Sequence, residues 1–186
     1  MSNPLRILKV LDLCLGEPTE ITLFGRSALA LGYPNAPDHF HNTHDVDGIL
    51  PLSWLEPPEG QQDFWQAVQR TNAELETDGL YLTHLFREID VILQPDWLSR
   101  RLRLELGLTK LTAFRPASID LILTKMARGD DEDLQDIRFI LHQERLTPDQ
   151  LETAFSRARV PEVAEIRELF DRAKPKVLVL ARQARN

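Results

Sequence analysis

An α+β fold is predicted for this chain: a short mixed sheet flanked by helices, then a helical C-terminal region. Three observations carry that expectation. Up to residue 115, short apolar runs suited to strands alternate with segments of helical spacing. From Pro116 onward every segment has helical spacing and opens on a Ser, Asp or Pro start signal. The 186 residues are 42% hydrophobic and 27% charged, the balance of a soluble globular chain able to bury one full core. The expected division is an α/β core over 1–115 and a helical region over 116–186 packed on it, or one continuous domain.

Pro4 suits a helix start, and Leu5, Leu8, Leu11 and Leu15 follow at helical spacing until Gly16 and Pro18 stop them. Ile21 to Phe24 reads as a buried strand ending at Gly25, and Ser27 to Leu31 as a helix opening directly after it. Gly32 to Thr43 reads as a polar loop, Asp45 to Leu52 as a second strand, and Pro57 to Gly60 as a turn. A helix is expected from Asp63 to about Gly79, with Phe64, Ala67, Val68 and Leu75 on one side. Leu80 to Phe86, continued by Ile89 to Leu93, reads as a third strand. Trp97 to Leu106 reads as a basic helix whose Arg100, Arg101 and Arg103 form a solvated face. Leu108 to Phe114 is a last strand. Helices follow over Ser118–Arg128, Asp133–His142, Pro148–Arg157 and Pro161 to about Arg182.

Composition excludes several functions. No apolar run reaches the ~20 residues that span a bilayer, and Met1 to Gly16, which carries Asp12, is expected to be a helix of the mature protein rather than a signal peptide. A single cysteine, Cys14, leaves no intramolecular disulfide and fits a reducing cytoplasm; among leucines it is expected to be buried. The net charge of −7 argues against bulk DNA binding. The tail after Asp171, with Arg172, Lys174, Lys176, Arg182 and Arg185, is read as a solvated helix end, with RNA or partner contact as the sharper alternative. Trp54, Trp65 and Trp97 read as core or rim aromatics.

Asp45-Val46-Asp47 carries the most chemistry. Residues two apart on a strand face the same side, about 6.5–7 Å apart, so both carboxylates can converge on a hard cation. Such a site stabilises charge in phosphoryl or nucleotidyl transfer. Upstream, the strand that ends at Gly25, with Ser27 as the helix opens, lets backbone N–H groups approach phosphates. A metal pair and a phosphate cradle together suit a nucleoside triphosphate with Mg²⁺ or Mn²⁺.

These residues resemble the minimal nucleotidyltransferase superfamily, including its bacterial members and toxin–antitoxin relatives. The resemblance rests on Gly25-Arg26-Ser27, then Asn42-Thr43-His44 and Asp45-Val46-Asp47. A second block, Arg115 to Arg128 with Pro116, Asp120, Leu121, Ile122, Lys125 and Arg128, leads into Asp133-Leu134-Gln135-Asp136-Ile137. It covers about Glu20 to Leu141. It implies Asp45 and Asp47 as catalytic metal ligands and Gly25 and Ser27 as phosphate contacts. Arg26 stands where relatives carry a small residue, and would either crowd the phosphates or supply them a cation. Lys125 would reach the triphosphate, or pair with Asp133 or Asp136 across two helices.

An active transferase of this kind takes a third group from the strand over Leu80–Leu93. Asp90 and Glu88 are the acidic candidates and His84 a substitute base; the remaining alternative is that none exists. Two function classes follow. One is Mg²⁺-dependent transfer of a nucleotide from an NTP to a hydroxyl on a protein, an RNA end or a small molecule. The other is a catalytically weakened nucleotide- or protein-binding module, with a partner protein or a homodimer. A third reading, a metal-dependent hydrolase, would use His39, His41 and His44 with Asp38 and Asp45.

Overall fold

The computed structural model describes residues 1–56 and 61–184, so the turn expected at 57–60 and Arg185 lie outside the described residues. The chain divides into two compact units: Met1–Arg87 with Arg101–Arg115, and Glu88–Arg100 with Pro116–Asn186.

The first unit is built on a five-stranded mixed sheet. Its strands are β1 (Thr19–Phe24), β2 (Asp45–Leu50), β3 (Tyr81–Arg87), β4 (Leu102–Arg103) and β5 (Leu111–Arg115), in spatial order β3-β2-β1-β5-β4. β1 runs antiparallel to β2 and parallel to β5, β3 is parallel to β2, and β4 is antiparallel to β5. Register sorts the side chains. Ile21 and Leu23 share one face with Val46, Leu82 and Ala113, and all five are buried. Helices α1 (Asn3–Cys14) and α5 (Gln62–Leu75) pack on each other and against the sheet, bringing Ile7, Leu8, Leu11, Phe64, Ala67 and Leu75 to this core. The opposite face carries Thr22, Phe24, Asp45, Asp47 and Phe114.

Asp12 of α1 fixes the start of β5. Its carboxylate accepts the backbone N–H groups of Thr109, Lys110 and Leu111 and the Thr109 hydroxyl. Burial works to raise its pKa, but these donors outweigh it and hold the pKa below 3.8. Cys14 is half-buried at the end of α1, not enclosed as its leucine neighbours suggested.

Several expectations need correction. The segment over 32–43 contains a helical turn, α3 (Asp38–His41), after α2 (Gly25–Gly32). β2 stops at Leu50 and is followed by the short α4 (Leu52–Leu55). β3 does not continue past Arg87: Glu88–Asp90 is a 3₁₀ turn, and Leu93 pairs only by an isolated bridge to Arg159. The basic helix over 97–106 does not form. Trp97–Arg100 is a 3₁₀ turn and Leu102–Arg103 is a strand, because pairing with Arg115 and Phe114 offers the backbone a ladder.

The second unit holds α6 (Ser118–Lys125), α7 (Asp131–Glu144), α8 (Pro148–Arg157) and α9 (Ala164–Gln183). Asp130 caps α7 through the Asp133 N–H, and Thr147 with Gln150 forms a capping box on α8. Fully buried Asp120 accepts the Gln94 N–H at 2.8 Å and Arg100 Nη2 at 2.7 Å, tying Glu88–Arg100 to α6. Among the described residues no helix is long and apolar enough to cross a membrane.

Candidate active site

Local sequence places the two aspartates. β2 is extended at Asp45-Val46-Asp47, so Val46 enters the core while both carboxylates stand on the opposite face. Thr43, just before the strand, donates its hydroxyl to Asp45 Oδ1 at 2.7 Å and fixes that carboxylate's orientation. Asp47 lies opposite Phe24, the last residue of β1. Gly25 follows in the left-handed region at φ +64°, where a Cβ would come within 3.4 Å of Asp47 Oδ2. The glycine turn and the second aspartate are therefore immediate neighbours.

The third member comes from an irregularity in β3. Val46 pairs with Leu82 and Gly48 with Leu85, so Asp47 alone faces two residues, Thr83 and His84. This bulge breaks the alternation of β3 and turns both side chains toward Asp47. His84 Nδ1 lies 3.1 Å and Thr83 Oγ1 3.4 Å from Asp47 Oδ1. Gly48 permits the offset, since a Cβ there would meet Leu85 Cδ2 at 2.8 Å. Ligand atoms of Asp45, Asp47 and His84 all lie within 4.8 Å of one another. Among the described residues this is the group suited to a metal ion; His39, His41 and His44 form none. The His44 ring instead bonds the Gly79 carbonyl and His39 packs edge-on against Phe40.

The electrostatics suit a cation. Burial is the largest influence raising the Asp47 pKa, and the charge of Asp45 adds to it; the hydrogen bond from His84 opposes both. Two carboxylates held together out of water repel, and a bound cation would relieve that repulsion. Around the group, Phe86 stacks on His84 with ring centroids 5.8 Å apart and meets Phe24 edge-on at 5.7 Å.

The other sequence candidates separate. Ser27 is buried, and its hydroxyl donates to the Phe24 carbonyl at 2.9 Å, so its side chain locks the turn. The Arg26 guanidinium lies over the Phe40 ring at 5.9 Å, which accommodates the bulky side chain beside Gly25. Glu88 and Asp90 belong to the second unit; Glu88 accepts Trp97 Nε1 at 2.8 Å and pairs with Arg159 at 3.3 Å. Lys125, only 6% exposed, donates to Asp136 at 2.6 Å and Asp133 at 3.4 Å, the interhelical pairing that its position allowed. Thr43 carried no role in the sequence, and Arg101, expected on a solvated helix face, is instead only 15% exposed, with its guanidinium bonded to Thr22 and Glu20.

A five-stranded mixed sheet bearing paired aspartates beside a glycine turn defines a nucleotidyltransferase-like protein. Residues 15–170 match the family described as "Nucleotidyltransferase of unknown function (DUF6036)", and the chain belongs to that family. Neither the curated proteins nor the solved structures compared with the chain gave a match.

Proposed function

We propose that this protein transfers a nucleotidyl group from a nucleoside triphosphate to a hydroxyl acceptor. The reading rests above all on the clustering of Asp45, Asp47 and His84 beside the Gly25 turn. Asp45 and Asp47 are the residues to hold Mg²⁺ or Mn²⁺, oxygen ligands suited to hard cations. When bound, the ion would neutralise charge building on the phosphate oxygens.

The chain's own groups supply the rest. Backbone N–H groups at the start of α2 can donate to phosphate oxygens at the helix's positive end. With Asp47 as a carboxylate acceptor, His84 carries its proton on Nδ1, and Nε2 is left to take one. The acceptor oxygen forms a bond to the α-phosphorus as its proton passes to His84 Nε2. The bond from that phosphorus to the bridging oxygen breaks, and pyrophosphate leaves with the electron pair. Asp47 stabilises the imidazolium so formed, as a carboxylate does for a histidine base. Protein side chains, RNA ends and small molecules all supply such a hydroxyl, and the lone cysteine suits work in the cytoplasm.

One observation favours a second reading. The group facing Asp47 from β3 is an imidazole and not a third carboxylate, which suits a module that binds nucleotide or protein without turnover. Incubating the protein with labelled NTPs, Mg²⁺ and cell extract separates the two. Transfer is expected, with a drop of at least about 100-fold in Asp47→Asn. Labelling that survives this substitution would sink the role of Asp47. Nucleotide binding without any labelling selects the second reading.

A further inference from the structure

Resting on the nucleotide reading of the site, we infer that Arg101 is the cation that receives the triphosphate. A triphosphate carries several negative charges, and the carboxylate pair offers it none to match. Lys125, one cation that the sequence offered, is engaged by Asp136 and Asp133 within the second unit.

Arg101 stands on the face of the sheet that carries Asp45 and Asp47. Its guanidinium lies 4.2 Å above the Phe114 ring, donates from Nη1 to Thr22 Oγ1 at 3.0 Å, and donates from Nη2 to Glu20 Oε2 at 3.0 Å. Thr22 pairs with Phe114 across β1 and β5, and Phe24, two residues beyond Thr22 on the same face, pairs with Asp47. Two strand positions correspond to about 7 Å. The cation and the metal pair therefore share one face of the sheet, separated by the step from Thr22 to Phe24.

The side chain is built for this task. It is 15% exposed and clamped by an aromatic face and a threonine, so little conformational freedom remains to be lost on binding. Its planar fork presents several N–H donors, the geometry that takes phosphate oxygens in pairs. Its acidic partner is the weak member: Glu20 is 54% exposed, and an exposed carboxylate yields readily to a more highly charged phosphate. Glu20 thus occupies the guanidinium when phosphate is absent.

Titration calorimetry with Mg²⁺ and either α,β-methylene-ATP or AMP tests the assignment on wild type, Arg101→Met, Arg101→Lys and Glu20→Gln, with thermal unfolding to confirm folding. Wild type is expected to bind the triphosphate more tightly than AMP. Arg101→Met should weaken triphosphate binding about tenfold or more while leaving AMP nearly unchanged. Arg101→Lys should recover only part of the loss. Glu20→Gln, a change at an exposed position, should tighten triphosphate binding several-fold. Folded Arg101→Met with the wild-type preference for triphosphate would overturn the inference. So would Glu20→Gln that binds no more tightly than wild type, which covers the case of an Arg101 variant that fails to fold. Wild type that binds neither nucleotide overturns the underlying nucleotide reading as well, and this outcome is distinct from the other two.

Discussion

Asp47 gathers the interactions on which the proposed chemistry depends. Burial and Asp45 favour its neutral form, while His84 favours its charged one. Replacing His84 with Gln keeps a donor near Asp47 but removes the ring nitrogen assigned to take the acceptor's proton. The transfer rate is expected to fall about 100-fold or more, with nucleotide affinity little changed. An unaltered rate in single-turnover measurements would remove His84 from the proton path. The metal claim has its own readout, independent of activity. Wild-type protein should bind Mn²⁺ detectably by electron paramagnetic resonance, and Asp45→Asn should weaken that binding at least about tenfold. Thr43→Val, which deletes the 2.7 Å bond to Asp45, should show a smaller loss in the same experiment.

The joint between α1 and β5 is the most testable feature among the elements. Asp12 lies 97 residues before Thr109 in sequence, yet it satisfies three successive backbone N–H groups there. Asp12→Asn removes the charge and leaves some of those donors without an acceptor, a loss of about 3 kcal/mol in urea unfolding at pH 7. Because the folded-state pKa is depressed, the charge contributes its stability above the ordinary 3.8. That contribution is lost as the pH falls below 3.8 toward the lowered value. The gap in urea midpoint between wild type and Asp12→Asn should therefore hold from pH 7 to about 5 and narrow below pH 4. The bulge in β3 is a second device at this scale. Without it Asp47 would face a single residue; with it both Thr83 and His84 reach the carboxylate.

For the molecule as a whole, the sheet unit contains the Asp45, Asp47 and His84 group. The helical unit is held by charges as well as by its apolar core. Lys125, Asp133 and Asp136 are all buried, and Arg128 adds bonds of 2.9 and 3.1 Å to Asp133. Removing Lys125 takes from buried Asp136 its cation at 2.6 Å, while Arg128 still holds Asp133. Lys125→Met is expected to lower unfolding stability by about 3–5 kcal/mol. If the protein unfolds normally but loses triphosphate affinity, Lys125 serves substrate and not the fold. The second motif block that carried the family resemblance has a structural role in its Asp120, which anchors Gln94 and Arg100.

Most of this architecture was legible in the sequence because its signals are local. Alternation at Asp45-Val46-Asp47, the glycine after β1, and the caps of α7 and α8 depend on neighbours a few residues away. Those signals determined the α+β class, the metal-suited pair on one strand and the turn beside it. Tertiary structure decided which partners complete the group. Nothing in Leu82-Thr83-His84-Leu85 announces a bulge, since it arises only where β3 pairs with β2 and Gly48 makes room for Leu85. A strand that continued to Leu93 would have kept Asp90 and Glu88 as candidates beside His84; the 3₁₀ turn at Glu88 removes them from β3. Arg101 read as one face of a helix until pairing with β5 drew the following residues into a strand and set its guanidinium over Phe114. Carboxylate spacing is a property of one strand, whereas the side chains that meet those carboxylates are chosen by contacts between distant segments.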